Sequence, residues 1–238
     1  MKLARPDVFH PRIVLAGCRR HVAGDGDDAG LVAALRHRGL HARWLAWDDP
    51  ETARAHLVIL RATRDYADRL DEFLAWTTGV ANLLNPPDAV AWNLDERYLR
   101  DLESAGVPTL LSGPPGQPVG QASLIFFAGE RSHAFTRTQP VEPECEYWDL
   151  GHAAIASAAE HIGIGAGELL YARVDVNGGP GRELGGVRLA RLDLVAPSLG
   201  WGLLDADTRD LAQRRFALGV ESACERLGLG PFSQPFPH

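Results

Sequence analysis

The feature that most constrains this chain is a change of rhythm partway along it. Residues 12–110 alternate short apolar runs with amphipathic stretches. "RIVLAG", "HARWLAW" and "HLVILRA" read as strands, and "DDAGLVAALRHRG", "RLDEFLAWTTGVANLL" and "DERYLRDLESAG" read as helices. In the first helix Leu31, Ala34 and Leu35 fall at helical spacing, and Gly39 stops it. "NPPD" breaks the second helix; Asp95 opens the third and Gly106 closes it. Strands alternating with helices predict a parallel α/β sheet.

The rhythm then stops at "SGPPGQPVG", a Pro/Gly-rich joint at residues 112–120. Beyond it, "QASLIFFAG" and "SHAFTRTQ" flank "ER" and predict a β-hairpin turning at Glu130–Arg131. "GHAAIASAAEHIG" is an Ala-rich helix, and "TRDLAQRRFALGVESACERLG" is a closing one. "LLYARVDVN" and "VRLARLDLVAP" surround the Gly-rich "GGPGRELGG" and predict an antiparallel strand pair. The reading is therefore an α/β unit at 1–111, the joint at 112–120, and an α+β unit with an antiparallel sheet at 121–238.

Composition excludes several function classes. The chain has 238 residues, 45% of them hydrophobic, which is enough for an ample core. No apolar run reaches the roughly 18 residues of a membrane span. "MKLARPDVFHPRIVLAG" lacks the apolar core and cleavage site of a secretory signal, and its apolar part reads as a first strand. Cys18, Cys145 and Cys224 are odd in number and far apart, which suits a cytoplasmic location rather than a disulfide framework. A net charge of -7 argues against general nucleic-acid binding. Lys2 is the sole lysine, so no phosphate-loop, kinase-type or Schiff-base lysine is available unless Lys2 serves.

The motifs narrow the chemistry less sharply. "GDGDDAG" at 24–30 matches a dinucleotide fingerprint by letters only. Its first glycine lies well past the strand end near Gly17, and Asp25, Asp27 and Asp28 would repel a pyrophosphate. The expectation is a loop that caps the next helix. The nine histidines form no zinc signature, and no G-x-S-x-G elbow occurs. Arg173 and Asp175 stand two apart on one strand, as do Arg191 and Asp193 on the other. Residues two apart share a face, so pairing the strands brings two arginines and two aspartates together. Spacing alone leaves open two outcomes: cross-strand ion pairs, or carboxylates that hold a hard cation such as Mg²⁺.

Taken in order, "WLAWDDP", "LVILRATRDYADRLDEFLAW", "LLNPPDAVAWNLDERYL", "SLIFFAGERSHAF", "LYARVDV" and "LVAPSL" resemble the ATP-grasp superfamily. The similarity covers residues 12–111 and 121–225, and it is to bacterial ligases of the glutathione synthetase-like and cycloserine-forming kind. It implies an N-terminal α/β (pre-ATP-grasp-like) domain, a small ATP-clamping subdomain and a C-terminal antiparallel sheet. It also implies joining of a carboxylate to an amine through an acyl-phosphate, with ATP and Mg²⁺ as cofactors.

Four departures accompany the resemblance. Glu96 follows "WNLD" where the family has a lysine that meets the nucleotide. The clamping subdomain has no room between "GVP" and "SLIFF", where only the joint and its flanks lie. Arg191 stands at a family metal-binding Glu, and Ala196 at a further Glu. Arg64 replaces the Trp of the family's "TWDY". Asp175 and Asp193 remain at ligand positions.

Three functions follow as expectations. The first is a degenerate ATP-grasp protein that needs neither ATP nor Mg²⁺. It would bind a small anionic or amino-acid-like ligand through Arg61, Arg64, Asp65, Arg137, Arg173 and Arg191, or serve as a partner subunit. The second is an ATP-dependent carboxylate–amine ligase with an unusual or shared nucleotide site, Asp175 and Asp193 holding one Mg²⁺. The third is an ATP-independent enzyme in the same cleft, with Asp65, His133 and Asp175 as acid/base groups. A homodimer or a complex with another pathway protein would cover surface exposed by the missing subdomain. Neither nucleic acid nor membrane is an expected partner.

Overall fold

The computed structural model describes residues 9–24, 26–112, 121–178 and 186–230. The α/β rhythm of the first half folds as read. Strands β1 (Ile13–Gly17), β2 (Ala42–Ala46), β3 (Leu57–Ala62) and β4 (Leu83–Leu84) form a parallel sheet in the order β2-β1-β3-β4. Every residue of β1 and β3 is buried, as expected for inner strands covered on both faces. Helix α1 (Leu31–His37) follows β1 and buries Leu31 and Leu35.

The second helix is shorter than its sequence pattern. Helix α2 (Leu70–Gly79) stops at Gly79, and the apolar pair that seemed to continue it becomes β4. "NPPD" breaks the pattern but also starts a helix that the sequence reading omits. This is α3 (Pro87–Leu94), with proline at its first position, where a missing N–H costs nothing. Helix α4 (Tyr98–Ser104) comes next; Asp95 sits ahead of its first turn and accepts from the Arg97 amide at 2.9 Å.

Of the joint, residues 113–120 lie outside the described residues; Leu110–Ser112 form a short 3-10 turn. Strand β5 (Ala122–Phe127) then pairs with β6 (Glu130–Phe135) as the expected hairpin. Its turn is Ala128–Gly129, at φ of 50° and 80°, and not Glu130–Arg131, which begin β6. A two-residue turn matching strand twist needs positive φ at both central positions, and the small pair supplies it. Strands β7 (Pro140–Val141), β8 (Tyr171–Asn177) and β9 (Arg188–Asp193) complete an antiparallel sheet in the order β7-β6-β5-β8-β9. Helix α5 (Cys145–Ile162) packs on one face, burying Ala154, Ile155 and Ala158 against Leu124, Phe126 and Val174.

Helix α6 (Ala206–Arg226) and the other face of this sheet build a core with the parallel sheet. Ile13, Leu15 and Ile59 of the first half join Ile125, Phe127, Trp201 and Phe216 of the second in one buried cluster. Two buried asparagines lock the halves further. Asn85 donates to the Tyr171 and Leu194 carbonyls at 2.9 and 3.0 Å and accepts from the Leu170 amide. Asn93 donates to the Leu192 carbonyl and accepts from the Leu194 amide at 3.0 and 2.7 Å. No helix among the described residues is long and apolar enough to cross a membrane.

Candidate functional site

Strand pairing gives the charged ladder its geometry. Across β8 and β9, Arg173 lies opposite Asp193 and Asp175 opposite Arg191, a two-by-two alternation of sign. The ion pairs nonetheless run along each strand rather than across. Arg173 Nε donates to Asp175 Oδ1 at 2.8 Å, and Arg191 Nη2 to Asp193 Oδ2 at 2.6 Å.

Neighbours engage the same groups. Ser123 Oγ donates to Asp175 Oδ1 at 2.7 Å and accepts from Arg173 Nη2 at 3.1 Å. The Arg173 guanidinium also lies 5.4 Å from the centre of the Phe135 ring. Asp193 accepts from the Val195 amide at 3.1 Å. Burial nevertheless raises its carboxyl above the ordinary range, against the opposing pull of Arg191.

A second polar group lies between the two sheets. Arg61, at the end of β3, is 4% exposed and donates through Nε and Nη2 to Asp28 Oδ1 at 3.2 and 3.0 Å. Its Nη2 also reaches the Pro197 carbonyl at 2.9 Å, and its guanidinium lies 5.2 Å from the centre of the Tyr171 ring. Burial opposes the charge, but Asp28 and Tyr171 outweigh it, so the Arg61 pKa rises. Trp201 Nε1 donates to the same Asp28 oxygen at 3.0 Å. Asp27 accepts from Ser198 Oγ and the Gly202 amide at 2.9 and 3.1 Å.

These contacts correct the reading of "GDGDDAG". Helix α1 is capped by Gly30 at φ 98°, with no side-chain cap bond. The aspartates turn away from the helix and toward the second half of the chain. Asp25 lies outside the described residues.

Cavities divide the predicted site residues. Arg61 and Arg64 line a space of about 230 Å³ with Asp27 and Asp28. Arg137 and Arg173 line a wider one of about 620 Å³, which shares Asp27 and Ser198 with the first. A third, of about 900 Å³, lies between the β5–β6 turn and α6 and holds none of the predicted residues.

Asp65 and His133 line none of these. Asp65 accepts from Trp47 Nε1 at 2.9 Å. His133 Nε2 donates to the Leu199 carbonyl at 2.7 Å, and its ring packs near Phe127, Phe135 and Trp201. Burial pushes this imidazole below its ordinary pKa. Gly200 belongs to the same packing: it sits at φ 68°, and a Cβ there would stand 2.3 Å from the Phe135 ring. Glu96 is exposed beside Asp95. Sequence reasoning missed Asp28, Trp201, Ser123 and the Pro197 carbonyl as partners.

A parallel α/β sheet joined through a shared core to an antiparallel sheet is a fold that the chain shares with ATP-grasp ligases of known structure, such as PsnB, at a TM-score of 0.55 and 15% identity over 87% of this chain and 98% of that one. Residues 13–85, which span β1 to β4, match the family model of the D-cycloserine synthetase DcsG N-terminal domain. The chain is 36% identical over 91 residues to the cycloserine biosynthesis protein DcsG of Streptomyces lavendulae, a match over 36% of this chain and 30% of that protein. The crystal structure of D-cycloserine synthetase DcsG superposes with a TM-score of 0.73 at 21% identity, covering 91% of this chain and 99% of that one. D-alanine–D-alanine ligase from Bacillus anthracis, solved with ATP, gives 0.59 at 11% identity, covering 92% and 98%.

Proposed function

We propose that this chain is an ATP-grasp-fold protein repurposed away from ATP-dependent ligation. It holds a small anionic or amino-acid-like ligand between its two sheets, or serves as a subunit beside another protein. The observation that carries this reading is the ladder of Arg173, Asp175, Arg191 and Asp193.

Mg²⁺ takes oxygen ligands in near-octahedral geometry. The ladder offers two carboxylates, each already bound by a guanidinium. A guanidinium has five donors and no lone pair, so it cannot ligate. It also adds repulsion: like unit charges 4 Å apart cost about 4 kcal/mol at a partly screened site, and a divalent ion doubles this. The donor set therefore does not fit a Mg²⁺–phosphate centre, and no step through ATP follows from these residues. Glu96 and the short path from Pro108 to Gln121 support the same reading, since neither supplies a cation or a clamp for phosphates.

Isothermal titration calorimetry of the whole chain with Mg·ATP tests the reading. The expected trace shows no saturable heat in the micromolar range. Micromolar binding would overturn the proposal and favour a ligase with an unusual nucleotide site.

A further inference from the structure

The cavity of about 900 Å³ lies away from the charged ladder. Ser123 stands beside Asp175 near one end of β5, and the cavity opens at the other end, from Phe127 onward. The five-residue step from 123 to 128 along the strand spans about 17 Å. The cavity walls include buried Phe127, half-buried Trp148 and, on α6, Leu218, which is 52% exposed. More than half of the wall residues are exposed, so the space is an open groove rather than an enclosed chamber. Small-molecule sites bury most of their ligand, so an open groove of this size suits a macromolecular surface.

Helix α6 extends the apolar surface beyond the groove. Leu211 is also 52% exposed. Residues seven apart share a helix face, so Leu211 and Leu218 form one outward stripe that runs into the groove. Single surface leucines are ordinary. A leucine stripe that meets a tryptophan and an arginine has the make-up of an interface centre.

The charges of the groove select what covers it. Glu130, Arg131 and Glu142 form no ion pair among the described residues. Arg215 reaches only the Arg131 carbonyl, at 3.5 Å, the outer limit of a hydrogen bond. Other charges of α6 are matched within the chain: Arg214 pairs with Asp210 at 2.5 Å, and Arg226 lies 3.9 Å from Glu168. The groove therefore holds two positive and two negative side chains whose formal charges cancel and which leave one another unpaired. A partner of one strong sign would attract half of them and repel the rest, whereas a second copy offers an opposite charge to each. In a two-fold contact a surface meets itself. Arg215 stands on the α6 wall and Glu142 on the wall between β7 and α5. A two-fold axis along the groove lays the first wall of one copy over the second wall of the other.

We infer that two copies of this chain pair through the groove, with Leu218 and Trp148 at the centre and Arg215 of each copy facing the partner's Glu142. Sedimentation equilibrium of the full chain at micromolar concentration tests this, and the expected species has twice the mass of one chain. Leu218→Glu sets a charge on the shared apolar surface and should raise the dissociation constant at least about tenfold. Its far-UV circular dichroism should stay native, because the side chain is half exposed in the single chain. Arg215→Glu sets like charges together and should also weaken pairing about tenfold or more. Adding Glu142→Arg to Arg215→Glu should restore it, a rescue that no role within one chain would give, since the two residues form no ion pair there.

Cys145 supplies a second readout. It lines the groove and is exposed, whereas Cys18 and Cys224 are buried. Its reaction with a thiol reagent should slow as rising protein concentration forms the dimer, and should not slow in Leu218→Glu. A mass of one chain, a dimer indifferent to Leu218→Glu, or no rescue by the charge exchange would each overturn the inference. Cys145 protected in a chain of single mass would place another segment of the same chain in the groove and overturn it equally. All of these outcomes leave the loss of ATP-dependent ligation standing, whereas Mg·ATP binding would overturn that reading whatever the mass.

Discussion

Asp28 lies in a stretch of glycines and aspartates that reads as solvated loop, yet it is 7% exposed. Carboxylates are seldom so buried unless paired, and Asp28 is paired with Arg61 and bonded to Trp201. Removing one member of a buried pair leaves the other charged and unmatched, which costs about 3–5 kcal/mol. Asp28→Ala is therefore expected to lower unfolding free energy by about 3–5 kcal/mol in urea denaturation. A loss under about 1 kcal/mol would mean that the pair is solvated, as exposed pairs are. The signal for this pair was weak in the sequence because its members stand 33 positions apart, and Trp201 stands 173 from Asp28. Arg191 is the contrary case. Its spacing from Asp193 was legible because a strand places alternate residues together, and the ion pair formed within that reach.

At the scale of elements, start and stop chemistry decides the boundaries. Asp205 caps α6, its Oδ1 accepting from the amides of Asp207 and Thr208 at 3.0 Å each. Asp205→Ala should cost about 1 kcal/mol, read as a lowered denaturation midpoint with an unchanged slope. Asp205→Asn should recover most of that, since it retains an accepting oxygen. The strands β1, β2 and β3 and the long helices were legible because their periodicity persists over many residues. The end of α2 was not, since Leu83 and Leu84 extend a helical pattern by letter while pairing with β3 in fact. Helix α3 was hidden behind prolines that read as a break, although proline suits a first helical turn.

At the scale of the molecule, the two sheets are not independent bodies joined by a linker. One buried cluster runs from Ile13 and Ile59 through Phe127 and Trp201 to Phe216 and Val220. Phe216 contacts Phe127, Tyr171 and Trp201 by ring packing. Phe216→Ala should cost about 3–5 kcal/mol, and the loss should be felt by both halves together. Thermal unfolding should remain one transition, with far-UV circular dichroism and tryptophan fluorescence giving the same lowered midpoint. Two separated midpoints would show that the halves unfold apart.

The sequence by itself determined the two kinds of sheet and the lack of lysine for phosphate chemistry. These are properties of local spacing and composition, which survive without knowledge of distant partners. Only the tertiary structure decided what the charges hold. It set Arg173 and Arg191 against carboxylates of their own strands and buried Asp28 beneath Trp201. It also left Arg61 Nη1 buried without a partner among the described residues. Those outcomes depend on long-range packing and desolvation, because a charged side chain's partner is whichever group the folded core brings within about 3 Å of it.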